Sequence, residues 1–313
     1  MFLGIEIGGT KLQLGLGRGD GHLLGLWRGS VDAAAGGDGI RQEIVRAVPE
    51  LLARAGVQRS QLRGVGVGFG GPTDDATQSV IKSHHIAGWN GFPLAAWLAE
   101  WLRLPTAICN DADVAGLAEA TLGAGKGLSP VFYITVGTGI GGGLVIDGEI
   151  YRGLGKGACE IGHFVVRGQG ILESFSAGWG IEARAKNDPR FDSLRGSLGR
   201  ELTVKDLAAA AGMGNLVAAE SLDSAVAALA EGIRQMITLL CPRRIVIGGG
   251  VSLLGEDLFF GPLRKYVAEG AFEAFAGLTD IVPAALGEEV VIHGALALAR
   301  QKFGASTSTL PAA

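Results

Sequence analysis

Two short glycine-rich turns constrain this chain more than any other feature. Ile7-Gly8-Gly9-Thr10-Lys11 and Gly137-Thr138-Gly139-Ile140-Gly141-Gly142-Gly143 each separate two apolar segments of strand character. The first turn is entered by residues 2–7 and left by Leu12-Gln13-Leu14-Gly15-Leu16. The second runs from residues 131–136 to Leu144-Val145-Ile146, where Asp147-Gly148 turns the chain again. Glycine suits such turns because it tolerates positive φ and lets backbone N–H groups come close to phosphate oxygens. The hydroxyls of Thr10 and Thr138 and the ammonium of Lys11 would add donors and charge. Two copies of one design predict duplicated halves facing each other across a nucleotide.

The second turn also satisfies the dinucleotide pattern G-x-G-x-x-G, but that pattern demands a helix next. A strand and a hairpin turn follow here, so no helix N-terminus is available to receive a pyrophosphate.

At 313 residues the chain has room for two domains. Its 53 glycines show no repeat, and 48% of its residues are hydrophobic, so collagen-like, low-complexity and disordered readings fail. Apolar stretches are short and broken by glycine or charge, which argues against a membrane span. No signal peptide is evident in a sequence that opens on a strand, so a cytoplasmic location is expected. A net charge of −4 with scattered basic residues argues against nucleic acid as a partner. Cys109, Cys159 and Cys241 lie far apart in apolar surroundings and are expected to be reduced thiols, with neither a disulfide framework nor a zinc knuckle.

Further along, Leu23–Trp27 is an expected strand and residues 39–55 an amphipathic helix stopped by Gly56. Residues 62–69 form an expected buried strand delivering Gly70-Gly71-Pro72. After a helix over 92–102, the short strand 106–109 places Asn110-Asp111 at its end, before a helix over 114–121 capped by Asp111 or Asp113. In the second half, Thr203 and Asp206 form an expected capping box for a helix over 204–211, followed by a long helix over about 216–240 ended by Pro242. The strand 244–247 runs into Gly248-Gly249-Gly250, a third loop through which backbone can approach a ligand. A closing helix over 294–302 precedes a Ser-, Thr- and Pro-containing tail expected to fray.

Asn110-Asp111 at a strand end suits an active-site pair, in which the carboxylate accepts the proton of an attacking hydroxyl and the amide orients it. A helix N-cap is the structural alternative. Glu160-Ile161-Gly162-His163 and Glu173 place carboxylates and an imidazole in an otherwise apolar, glycine-rich stretch, and such groups recognise sugar hydroxyls. Glu6, inside the first strand, is costly to bury unless it faces a cation or water, and is assigned to the Mg²⁺ sphere, directly or through water.

In this order the motifs resemble the ROK family of bacterial sugar kinases, glucokinase-like members of the actin, hexokinase and Hsp70 superfamily. Gly4 to Lys11 and Gly137 to Gly143 resemble its two phosphate motifs. Asn110-Asp111-Ala112-Asp113 resembles the NDAN-type segment, Glu160-Ile161-Gly162-His163 the EIGH, Leu172-Glu173 the Leu-Glu beyond the zinc loop, and Ile247 to Gly250 the adenosine motif. The resemblance implies an α/β fold of two ribonuclease-H-like (actin-like ATPase) domains, with mixed sheets flanked by helices and the active site in the cleft between them. We expect a smaller N-terminal domain of residues 1–110 plus 293–313 and a larger one of 111–292. It also implies a kinase moving the γ-phosphoryl group of ATP to the 6-hydroxyl of a hexose, with Mg²⁺, most naturally with glucose, and a homodimer. Asp111 would be the general base. Gly71, Asn110, Asp111, Glu160, His163 and Glu173 would hold the sugar. Gly8, Gly9, Thr10, Lys11, Gly137, Thr138, Gly139, Gly248, Gly249 and Gly250 would hold ATP, with Glu6 toward the metal.

Three departures stand out. Residues 164–172, where the family carries a cysteine-rich zinc loop, contain no cysteine, so no zinc site is expected. Glu6 replaces the usual aspartate, as in members described as fructokinases. The segment from Asn110 to Glu119 is similar to polyphosphate glucokinases. Fructose, mannose or N-acetylhexosamines as acceptors, and polyphosphate as donor, therefore stay open. A sugar-sensing or transcriptional regulator is disfavoured, because the first phosphate strand begins at residue 2 and Asp111 is retained.

Overall fold

The computed structural model describes residues 1–83, 86–168 and 170–304. The tail expected to fray lies, beyond Gly304, outside the described residues. The chain forms two compact units. One comprises Met1–Gly123, Gly148–Ala158 and the stretch from Leu286; the other comprises Ala124–Asp147 and Cys159–Ala285.

In the first unit, β1 (Phe2–Ile7), β2 (Lys11–Gly17), β3 (Leu23–Ser30), β4 (Val65–Phe69) and β5 (Thr106–Asn110) form a mixed sheet in the order β3-β2-β1-β4-β5. The hairpin strands are antiparallel, and β4 and β5 run parallel to β1. All six residues of β1 are buried because both faces of the sheet are covered. Leu3, Ile5 and Ile7 join the core that contains Ile40, Ile44, Val48 and Leu51 of helix Gly36–Arg54. Phe2 packs with Ile292, Leu296 and Ala299 of the C-terminal helix Val290–Phe303. Gly4 shares that second face by strand alternation, and a Cβ there would come within 3.0 Å of Leu296 Cγ.

Helix Asp111–Thr121 packs closely on the C-terminal helix, because a side chain at Gly294 would overlap the Val114 carbonyl. It therefore belongs with the strands before it. The division falls after Gly123, where Asn110 was expected, and the chain returns at Leu286, where residue 293 was expected. The first unit is consequently not the smaller one.

The second unit repeats the plan with β6 (Val131–Val136), β7 (Ile140–Ile146), β8 (Arg244–Gly248) and β9 (Asp280–Pro283) in the order β7-β6-β8-β9. Again an antiparallel hairpin leads and parallel strands follow. Gly141, Gly142 and Gly143 lie within β7, so the turn itself is only Gly137-Thr138-Gly139. A Cβ on Gly142 would sit 3.1 Å from the Phe132 ring, a closeness that the strand, not the turn, requires. Helix Leu216–Leu240 presents Leu222, Val226, Leu229, Ile233 and Met236 to this unit's own core. Asn215 caps its start, and Cys241, at φ 39°, ends it before Pro242. The expected capping box at Thr203 is present, with Asp206 accepting from Thr203 N at 2.8 Å. No described helix is long and apolar enough to cross a membrane.

Candidate functional site

Parallel register brings three chain segments together at the carboxyl ends of β1, β4 and β5, the edge at which open α/β sheets bind ligands. Ile7 pairs with Phe69, and Phe69 with Asn110. The residues that follow are Gly8, Gly70 and Asp111. Gly70 N donates to Ile7 O at 2.8 Å, and Asn110 Nδ2 donates to Gly71 O at 3.2 Å. A Cβ at Gly70 would lie 3.3 Å from Ile7 O and 3.5 Å from both Gly8 Cα and Asp111 Oδ2, so these three segments meet at one corner. The helix cap is Asn110, whose Oδ1 accepts from Ala112 N at 2.8 Å and Asp113 N at 3.4 Å. That corrects the expectation of an aspartate cap and places Asp111 as the first helical residue, its Oδ1 accepting from Ala112 N at 2.8 Å.

Glu6 is buried at the end of β1, on the face that Gly4 shares. Its Oε1 pairs with Lys11 Nζ at 2.9 Å, while Oε2 is buried without a hydrogen-bond partner among the described residues. Burial pushes the carboxyl up to about 7; Lys11 pulls it down, and the negative Asp111 and Glu288 push it up. Lys11 was expected to point at phosphate. It instead reaches Glu6 and the Glu288 carbonyl, at 3.4 Å, and remains 43% exposed. An oxygen donor with an unused lone pair is what Mg²⁺ accepts, so Glu6 fits the metal role assigned from sequence.

Arg152 is the residue that sequence reasoning missed. It sits in the Gly148–Ala158 stretch of the first unit, with its side chain only 12% exposed. Nε donates to Asp75 Oδ1 and Oδ2 at 3.0 and 3.2 Å, Nη2 to Thr73 O and Oγ1 at 3.0 and 3.1 Å, and Nη1 to Asp113 Oδ2. Cys109 Sγ also lies 3.8 Å from Asp113 Oδ2, and burial pushes that thiol up. A single arginine between Tyr151 and Gly153 was the only signal, and its partners are remote in sequence.

In the second unit the carboxyl ends of β6 and β8 converge in the same way. Gly248 pairs with Thr135, and Val251 N donates to Val136 O at 2.8 Å, which lays Gly248-Gly249-Gly250 beside Gly137. Gly250 N lies 3.9 Å from where a Gly137 Cβ would stand. Gly178 N, at the start of helix Gly178–Asn187, donates to Gly137 O at 2.8 Å. Glu173 lies against this turn: its Oε2 accepts from Ile140 N at 2.7 Å and would be 2.7 Å from a Cβ at Gly139. Thr138, between these contacts, is exposed.

Where the family carries its zinc loop, Val165–Val166 and Gly170–Ile171 form a two-stranded hairpin. Leu172 N donates to Phe164 O at 2.8 Å, closing the hairpin and bringing Glu173 back toward the single turn Ile161–His163. Glu160 precedes that turn and His163 ends it, exposed. The expected sugar and nucleotide residues therefore form two groups. Glu6, Gly8, Gly9, Thr10, Lys11, Gly71, Asn110 and Asp111 belong to the first unit; Gly137 to Gly139, Glu160, His163, Glu173 and Gly248 to Gly250 belong to the second.

The ROK family model matches residues 2–302. The chain belongs to the ROK family. Among curated relatives, this ROK protein is 30% identical over 317 residues to a glucokinase of Halalkalibacterium halodurans, covering 96% of this chain and 95% of that one. Among solved structures it is similar to a ROK family glucokinase from Streptomyces griseus in complex with glucose and AMPPNP, at TM-score 0.80 and 30% identity over 96% and 99% of the two chains. It is also similar to a ROK hexokinase from Thermus thermophilus, at TM-score 0.79 and 27% identity over 96% and 98%. The fold is that of the actin-like ATPases, with two α/β units of mixed sheets flanked by helices.

Proposed function

We propose that this ROK sugar kinase transfers the γ-phosphoryl group of ATP to the 6-hydroxyl of glucose, with Asp111 as the general base. The observation that carries the reading is the placement of the Asp111 carboxylate at the ends of three adjoining strands, beside Gly8 and Gly70. As the hydroxyl oxygen attacks phosphorus, its proton passes to Asp111 and ADP departs. Asn110, already bound to Gly71 O, orients the hydroxyl, while Glu160, His163 and Glu173 hold the remaining sugar hydroxyls. Glu173 has one oxygen held by Ile140 N, and its other oxygen would accept from a sugar hydroxyl. Gly8 to Lys11, Gly137 to Gly139 and Gly248 to Gly250 receive the nucleotide phosphates and adenosine through backbone N–H groups. Mg²⁺ would be held by Glu6, directly or through water, and supplies neutralisation of phosphate charge when bound.

The similarity to a glucokinase seen with glucose and AMPPNP supports glucose as acceptor and ATP as donor. The reading carries with it a cytoplasmic homodimer without structural zinc. A coupled assay tests the core of it: glucose, mannose, fructose and N-acetylated hexosamines as acceptors, each with ATP and with polyphosphate. Glucose with ATP is expected to give the highest kcat/KM, and Asp111→Asn to lower kcat by on the order of 10²- to 10⁴-fold while the fold persists. Near-normal turnover in Asp111→Asn removes the base; no turnover with any pair removes the kinase.

A further inference from the structure

We propose that Arg152 is a positioning residue for the proposed base, locking the first turn of helix Asp111–Thr121 against the loop from Gly70 to Asp75. The inference rests on the reading of Asp111 as that base. Each of the three guanidinium nitrogens is committed, to Asp75, Asp113 and Thr73. A planar fork holds its five donors in fixed directions toward these acceptors, whereas an ammonium is one compact centre on a flexible stem and cannot reproduce that spacing. Asp113 is 2% exposed, and Arg152 supplies positive charge paired with its buried carboxylate.

The coupling to Asp111 is short and physical. Asp113 stands in the same first turn, and the Asp111 carboxylate accepts from Ala112 N, one residue on. On the opposite side, Thr73 and Asp75 close the loop whose Gly71 carbonyl receives Asn110 Nδ2. Asp75 N donates to Gly155 O at 2.8 Å and Lys156 Nζ pairs with Asp74 at 2.9 Å, so the segment bearing Arg152 is itself anchored at that loop. Removing the guanidinium takes away the cation that joins the Asp75 and Asp113 carboxylates. The turn then has to shift, and the base moves with it. Asn110 keeps its own bonds to Gly71 O, Ala112 N and Asp113 N, so sugar binding is affected less than proton transfer.

The test compares wild type, Asp111→Asn, Arg152→Lys, Arg152→Ala and Asp113→Asn in the sugar kinase assay at 25 °C, with circular dichroism to confirm folding. Arg152→Lys is expected to lose roughly 10- to 100-fold in kcat with KM for sugar and ATP within about threefold, since misplacing a reacting group costs the chemical step. Millimolar guanidinium is expected to restore part of the Arg152→Ala kcat and to leave wild type unchanged. Wild-type kcat in Arg152→Lys, or a raised KM at unchanged kcat, overturns the proposal. If both Arg152 variants fail to fold, Asp113→Asn decides, because it keeps the shape and removes one charge: a lowered kcat at constant KM supports the proposal and a normal one overturns it. Inactive wild type, or active Asp111→Asn, would instead remove the reading on which the inference rests.

Discussion

Gly249 and Gly250 are adjacent, yet the structure assigns them opposite tolerance to a methyl group. Gly249 has φ +91°, and a Cβ there would lie 2.6 Å from the carbonyl carbon and oxygen of Val136 and 2.7 Å from its nitrogen. All three atoms belong to the backbone of buried strand β6 and cannot swing aside. The left-handed conformation costs a non-glycine residue about 1–2 kcal/mol. Overpacking against a fixed neighbour adds about 1–3 kcal/mol. Gly249→Ala should therefore lose about 2–5 kcal/mol, a large part of the ~5–15 kcal/mol that holds a typical protein. At about 2–4 °C per kcal/mol for a unit of this size, melting should fall by roughly 5–20 °C. A Cβ on Gly250 would meet nothing within 4 Å among the described residues, and its φ is not positive, so Gly250→Ala should stay within about 0.5 kcal/mol of wild type. Because the clash falls on the residue before Gly137, surviving Gly249→Ala protein should also show a raised KM for ATP. Calorimetry and urea melts of the two variants side by side give the answer. Equal stability of the pair, or a Gly249→Ala protein melting with wild type, refutes the reasoning.

Three further outcomes follow from the site. Glu6 holds its proton up to about pH 7 in the folded chain, against 4.5 for an ordinary glutamate, so the folded state binds more protons between those values and stability declines as pH rises through that window. With chelator present, Glu6→Gln should flatten that decline and exceed wild type by up to about 3 kcal/mol at pH 8; parallel urea-melt profiles from pH 4.5 to 8 would contradict this. Cys159 adopts φ 63° while its side chain packs against the second unit's core, so in Cys159→Gly the strain relieved should offset the packing lost and keep stability within about 1 kcal/mol of wild type; a loss above about 2 kcal/mol in urea melts refutes the strain. Elemental analysis of purified protein should find no stoichiometric zinc, and one tightly held ion per chain would overturn that expectation.

What could be read in the sequence was local. The Gly8-Gly9 turn, the capping box at Thr203 and the stop at Pro242 are each encoded within a few residues, and the structure retains all three. The capping of helix Asp111–Thr121 was ambiguous for the same local reason: Asn110, Asp111 and Asp113 can all cap, and only the paired register of β4 with β5 brings Gly71 O within reach of the Asn110 amide. Partnerships set by strand order were not legible. Lys11 reaches Glu6 because it lies two residues along β2 from Gln13, the residue opposite Glu6, and so on the same sheet face, where burial of Glu6 makes an ion pair more favourable than an unpaired carboxylate. The ownership of helix Asp111–Thr121 was decided by Gly294, a glycine whose meaning depends on a carbonyl far away in the chain. Arg152 combines both cases, since its acceptors come from two other segments that parallel pairing assembles. Chemistry-bearing residues were thus recognisable wherever a turn or strand end displays them, whereas the groups that hold those residues in place emerge only once the sheet has fixed which distant carboxylates meet.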